Sequence, residues 1–303
     1  MSAFEAIWNE DLSYLRAFLQ QGGDPDLRDE SGDRLLHAAI HEGSVAIVDL
    51  LLRHGASARL TDAFGNTPMH LATLFGEQVM IELLLQHGAE VDATSEARSW
   101  TPLMIALNEN HLELAHWLIR HGANPNHVDQ QEGWTPLLVA CDMGLREFSE
   151  QLMERGARLD AKVLGGDIRG RYAIHLASYT GEVGLVQALV HRGVDVNLQP
   201  DGGGLSALHW AVYNGHHELL EYLLAQGANP NIRASGIYQM RTPLHYAVSC
   251  RQLLMAEQLL EHHASPLLRD AEGISPFSLA YNATQKKSAR VYRDLVLLLE
   301  AYL

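Results

Sequence analysis

Blocks of apolar residues at helical spacing recur along this chain, and each block ends in the same polar turn. Val79–Gln86 (VMIELLLQ) presents a broad apolar face, which predicts an amphipathic helix. His87-Gly88-Ala89 closes it, with a glycine where a helix end needs a left-handed residue. The turn returns at His54–Ala56, His121–Ala123, Arg155–Ala157, Arg192–Val194 and Gln226–Ala228. Gly55, Gly88, Gly122, Gly156, Gly193 and Gly227 lie 33, 34, 34, 37 and 34 residues apart. A period near 33 sustained this long predicts an array of like helical units, each burying its apolar face against its neighbours.

A second signal sits inside each period. Thr67-Pro68-Met69-His70, Thr101-Pro102-Leu103-Met104, Thr135-Pro136-Leu137-Leu138 and Thr242-Pro243-Leu244-His245 open units, with looser copies at Arg34–His37, Tyr172–His175, Ser206–His209 and Ser275–Ser278. Threonine is a good N-cap, and proline is tolerated in the first turn because its missing N–H would go unused there. A short helix from His70 to Leu74 follows, with small Ala72 allowing close approach, and Gly76 ends it. The stretch between one terminal glycine and the next Thr-Pro step reads as an extended finger.

Together these motifs resemble the ankyrin repeat, most closely at Asp62–Thr94 (DAFGNTPMHLATLFGEQVMIELLLQHGAEVDAT) and well at Gly204–Ile232. The resemblance covers essentially the whole chain. It implies an all-α solenoid of about nine helix-turn-helix units with β-hairpin-like fingers. The expected plan is one ankyrin-repeat domain over 1–303. Residues 1–28 form an N-terminal cap (Phe4–Asn9 and Leu12–Gln21, with Glu5, Glu10 and Asp11 outward), 29–268 hold seven repeats, and 269–303 form a C-terminal cap with helices at Pro276–Tyr281 and Ser288–Tyr302. At 8–10 Å per packed layer the array would run roughly 80–90 Å along its arc. Two fingers are longer than the rest, near 161–171 and 234–241, and His263 stands where a terminal glycine is expected.

Charge alters the picture more than composition does. The formal net charge is −15, shared unevenly: residues 1–162 carry 25 Asp/Glu against 11 Lys/Arg (−14), residues 163–303 carry 12 against 11 (−1). An acidic half disfavours nucleic acid and speeds encounter with a basic protein surface. No stretch approaches the roughly 20 apolar residues of a membrane span, so no membrane insertion is expected. Two cysteines, Cys141 and Cys250, in separate repeats point to a reducing, cytoplasmic compartment, and both are expected to be buried thiols.

By the same resemblance, fingers and first helices line a concave contact face. The positions flanking the Thr-Pro step and preceding the mid-repeat glycine are then the candidate partner contacts. In the acidic part these are Glu30, Asp33, Glu42, Phe64, Phe75, Arg98, Trp100, Glu109, Glu132, Trp134 and Asp142. Later units add Arg169, Arg171, Tyr179, Tyr213, Tyr238 and Arg241. Trp100 and Trp134 occupy one place in adjacent repeats, so they are expected about 10 Å apart on an exposed surface.

Chemistry finds no foothold in the pattern. The 17 histidines fall mostly in repeat positions: His37, His70, His175, His209 and His245 share the Thr-Pro-Leu-His place, where the resemblance implies a structural hydrogen-bonding role. No H-E-x-x-H, paired CxxC, G-x-S-x-G, Walker A or dinucleotide glycine motif occurs in its proper context. The expectation is therefore no enzyme, no cofactor and no metal. The chain reads as a protein-recognition module, monomeric alone, that binds a basic protein partner and inhibits it in the manner of an immunity or antitoxin-type inhibitor. The alternatives are a scaffold bridging two proteins and a secreted bacterial effector engaging host proteins.

Overall fold

The computed structural model describes residues 1–95, 99–285 and 289–303. Two compact units emerge, Met1–Val139 and Ala140–Leu303. Among the described residues the elements are α-helices, with two short 3-10 turns at Gly166–Ile168 and Gly236–Tyr238.

In the first unit the helices come as pairs. They are α1 (Ala3–Trp8) with α2 (Leu12–Gln20), α3 (Leu35–His41) with α4 (Val45–Arg53), α5 (Pro68–Leu74) with α6 (Gln78–Gln86), and α7 (Pro102–Asn108) with α8 (Leu112–Arg120). First helices stack on first helices in the order α1, α3, α5, α7, and α2, α4 and α6 stack beside them. Helix α9 (Pro136–Asp142) spans the boundary between the units. The second unit continues with α10 (Arg146–Glu154), α11 (Ala173–Thr180), α12 (Val183–His191), α13 (Ala207–Asn214), α14 (His217–Ala225), α15 (Pro243–Ser249), α16 (Leu253–Glu261), α17 (Pro276–Thr284) and α18 (Ala289–Glu300). Here α11, α13, α15 and α17 stack in order, as do α10, α12, α14, α16 and α18.

Each pair buries a stripe that it could not bury alone. Leu35, Ile47 and Leu51 are wholly inaccessible in one repeat, Met69, Ile81 and Leu84 in the next, and Val212, Leu219 and Leu223 further on. Ala39, Ala72, Ala106, Ala177 and Ala211 are also inaccessible, the small residues that let neighbouring first helices meet. Terminal glycines take positive φ as expected, +92° at Gly55 and +88° at Gly88. His263 adopts the same left-handed conformation at +67°, so that turn keeps its shape despite the substitution.

Polar ties join the repeats. The Thr67 N–H donates to His70 Nδ1 at 3.2 Å, which places the ring proton on Nε2, and Nε2 donates to the Trp100 carbonyl at 3.0 Å. His37 reaches Asn66 O at 3.1 Å, His175 Leu198 O at 2.9 Å, His209 Arg241 O at 3.1 Å and His245 Ile274 O at 3.0 Å. Burial pushes all five imidazoles toward the neutral form, His175 and His209 down to about 4. Such rings are joints of the fold.

The fingers are hairpin-like turns that form no named strands among the described residues. Among the described residues, β-bridges join only Arg28 to Arg34, Lys162 to Tyr172 and Ala234 to Arg241. Other tips are gathered around one carboxylate. Asp62 Oδ1 accepts from the Phe64 and Asn66 N–H groups at 2.8 Å each, and Asp270 Oδ1 accepts from Glu272 and Ile274 at 3.0 Å. The Asp62 N–H also donates to Asn66 O at 2.9 Å and the Asp270 N–H to Ile274 O at 2.8 Å, so backbone and carboxylate together close each tip.

Candidate protein-interaction surface

The first unit holds a groove of about 380 Å³ between a finger tip and the first helices of two repeats, lined by Phe64, Asn66, Leu74, Trp100, Asn108 and Glu109 among others. Its shape follows from the local folding. The Asp62-centred turn lifts Phe64 until 77 % of it is exposed, and Leu74 at the end of α5 is 42 % exposed. Trp100 forms the far wall, its backbone fixed by His70. Asn108 Nδ2 donates to Glu109 Oε1 at 2.9 Å, holding that carboxylate at the rim. Beside the groove Phe75, 43 % exposed, meets His41 edge-on at 5.2 Å.

The two tryptophans are placed differently from the expectation. Their rings meet edge to face with centroids 6.5 Å apart, closer than one repeat spacing. Trp100 remains half-exposed, but Trp134 is only 9 % exposed, and its Nε1–H donates to Glu132 Oε2 at 3.2 Å. Trp134 therefore acts as a backing for Trp100. A smaller hollow of about 290 Å³ adjoins both rings, lined also by Asp129, Gln131 and Glu132.

The remaining candidates separate by exposure. Glu30, Glu42, Glu109, Glu132 and Asp142 are exposed, and Asp33 is half-buried with its N–H donating to Asp29 at 2.8 Å. Arg98 lies outside the described residues. Met1–Val139 contains 20 Asp/Glu and 7 Lys/Arg, a formal −13, whereas Ala140–Leu303 contains 17 and 15, or −2.

In the second unit an aromatic ladder runs across the first helices. Tyr179 meets Trp210 at 5.3 Å, Trp210 meets Tyr213 at 6.0 Å, and Tyr213 meets Tyr246 at 6.1 Å, all edge to face. Tyr179 and Tyr213 are exposed, 46 % and 50 %. Arg171 lies over the Trp210 ring at 4.3 Å, and Arg169 is exposed on the same finger. Tyr238 is half-buried against Leu205, Trp210 and Ala234. Arg241 is committed elsewhere: Nε reaches the almost inaccessible Asp270 carboxylate at 3.3 Å, which fastens one finger to the next.

Trp210 and Tyr246 were not legible as the support beneath the exposed tyrosines, because they occupy the place that Leu71 holds in the clearest repeat and read as ordinary core; Trp210 is indeed buried, and Tyr246 is half-buried. The oversize of a tryptophan at that leucine position was the available signal. The cysteines also divide. Cys141 matches the buried Thr73 position, and burial pushes its thiol up to about 12, but Cys250 matches the Phe75 position and is exposed. Two residues along a helix carry a side chain from its packed face to its open one.

Among the described residues no three His, Cys, Asp or Glu side chains converge as metal ligands would, and no helix is long and apolar enough to cross a membrane. A family model described as ankyrin repeats (3 copies) matches residues 3–95, 89–163 and 174–270. No curated protein matches the chain. Ankyrin repeats are protein–protein interaction modules and typically non-catalytic.

Proposed function

This chain belongs to the ankyrin-repeat family, and we propose that its first unit captures a basic protein partner in the Phe64–Trp100 groove. One observation carries the reading: a groove of about 380 Å³, walled by Phe64, Leu74 and Trp100 with polar side chains between them, opens within a unit of formal charge −13. An apolar or aromatic anchor of the partner would fill the space between Phe64, Leu74 and Trp100. Its flanking Lys or Arg residues would meet Glu109, Glu132, Glu30 and Glu42. Apolar anchors supply most binding energy, and the surrounding charge supplies on-rate and selectivity.

Inhibition is the finer form of the proposal. A chain built of repeats acts on what it binds by occupying it, and an acidic groove suits a basic active-site cleft. The test is affinity capture from native lysate at two salt concentrations, with Phe64→Ala and Leu74→Ala combined and Glu109→Lys separately. A single basic protein that is lost in the first variant and weakened by salt and by the second supports the reading. Capture that is indifferent to all three changes refutes it. The captured protein's own activity, assayed with and without this chain, then decides inhibition. A scaffold is the second reading, favoured by the different charge of the two units.

A further inference from the structure

The two long fingers of the second unit, with the glycine-rich one between them, enclose a hollow of about 230 Å³, and its chemistry is unlike that of the first unit. Arg171 is half-buried with its guanidinium stacked 4.3 Å from Trp210 and 5.9 Å from Tyr179. Among the described residues its guanidinium makes no ion pair or hydrogen bond. An arginine that lies over an indole face and makes no ion pair or hydrogen bond among the described residues keeps its guanidinium donors available to a planar acceptor. Arg169, exposed on the same finger, also lacks an ion pair among the described residues. Asp142 feels Arg171 electrostatically without forming a salt bridge to it.

Three fingers hold this arrangement rigid. Lys162 pairs with Asp201, the Ser235 N–H donates to Gly203 O at 2.6 Å, and Ser235 Oγ donates to Gly202 O. Gly203 has a φ of +80°, which favours glycine, and a Cβ there would sit 2.2 Å from Ser235 Oγ and displace that hydroxyl from its place between the fingers. The lining charges are Arg169 and Arg171 against Asp167 and Asp201, the last neutralised by Lys162. Arg169 and Arg171 face one lining carboxylate that no lysine neutralises, Asp167, and Asp142 lies near enough to act on Arg171, so a single monoanionic carboxylate suits the hollow better than a dianionic phosphate or a nucleic-acid backbone. Ile237, 87 % exposed at the finger tip, offers an apolar contact beside it.

We propose that this hollow binds an extended, acidic segment of a protein partner, with an Asp or Glu carboxylate on Arg171 and Arg169 and an adjacent apolar side chain on Ile237. The site is independent of the groove in the first unit, and it gives the chain two recognition surfaces of opposite preference. The volume admits one side chain with its flanking backbone, and the free guanidinium edge supplies the paired donors that a carboxylate accepts.

The experiment is selection of a random dodecapeptide display library on the full-length protein, followed by affinity measurement of the recovered peptides. The expected result is enrichment of sequences with Asp or Glu next to an apolar residue. Their affinity should fall at least about tenfold in Arg171→Gln and again when the acid is replaced by its amide, as for loss of a charge-assisted hydrogen bond. Gly203→Ala, which displaces the finger without touching a charge, should weaken them too. Phe64→Ala should leave them unchanged, which separates this site from the first groove. The proposal is overturned by recovered peptides without an acidic residue, by acidic peptides that bind Arg171→Gln equally, by tighter binding of the phosphoserine form, or by no enrichment. Circular dichroism of each variant establishes that the fold persists.

Discussion

His70 and Trp100 are tied across a repeat boundary: the imidazole Nε2–H donates to the tryptophan carbonyl at 3.0 Å, while Thr67 donates to the opposite ring nitrogen. The joint that holds the stack thus also positions the wall of the candidate groove. Where the next repeat carries Met104 in place of histidine, the buried Thr101 Oγ1 has no hydrogen-bond partner among the described residues. His70→Leu keeps the volume but strands donors and an acceptor on both sides. It should cost about 2–4 kcal/mol in urea unfolding, as expected for several buried polar groups left unmatched. Met104→His should raise stability by about 1 kcal/mol, because it would give the buried Thr101 hydroxyl a hydrogen-bond partner. A His70→Leu variant of wild-type stability would show that the ties contribute nothing.

The buried rings also set an acid limit. His175 and His209 have folded values near 4, well below the ordinary 6.5, chiefly because burial disfavours the charged ring. A depressed imidazole value means the unfolded chain takes up protons first. Stability from these two groups is therefore intact above about pH 6.5 and declines as pH falls toward 4, by about 3 kcal/mol per ring at the low end. His37, His70 and His245 act in the same direction. Thermal melts should shift downward through that window. In His175→Gln/His209→Gln the slope should flatten even though the starting stability is lower. An unchanged slope would assign acid sensitivity to the carboxylates.

Trp134 and Phe64 separate packing from recognition. Trp134 is 9 % exposed and backs Trp100, so Trp134→Ala should lower stability by about 3 kcal/mol. Phe64, 77 % exposed, has little left to lose on truncation, and Phe64→Ala should stay within about 0.5 kcal/mol of wild type. Measured side by side in denaturant titrations, the two variants should differ severalfold. Equal losses would mean that the finger tip carries more of the fold than its exposure suggests.

The repeat register, the helix pairs and the role of the five histidines were legible because each is specified locally. A Thr-Pro step, an apolar stripe and a glycine act within a few residues of one another. The finger interiors were less legible. Asp62 and Asp270 organise their tips by side-chain hydrogen bonds, and an aspartate in a polar loop gives no sign of that. Exposure within the candidate surface was the hardest to read. Whether Trp134 faces water depends on its contact with Trp100, which is fixed in the neighbouring repeat. Arg171 and Arg241 look alike along the chain, yet one stacks on an indole and the other is held by a buried carboxylate.

The helix-closing turns permit a paired test of backbone strain. Gly193 has φ +91° with open space around a would-be Cβ, so Gly193→Ala measures conformational cost alone, about 1 kcal/mol. His263 occupies the equivalent turn at φ +67° and is exposed. Its carbonyl accepts from Asn231 Nδ2 at 2.9 Å, a contact that survives any side-chain change. His263→Gly therefore removes left-handed strain of about 1–2 kcal/mol against an entropic penalty of about 0.5–1 kcal/mol, for a net gain of roughly 0.5–1 kcal/mol. Arg251, at φ +61°, is the counter-case: its guanidinium sits 5.3 Å from the Tyr292 ring, so Arg251→Gly gives up a contact while relieving strain and should come out near neutral. Denaturant titration of the three variants should rank them His263→Gly above Arg251→Gly above Gly193→Ala. A His263→Gly variant less stable than wild type would show that this histidine contributes a contact outweighing its backbone strain.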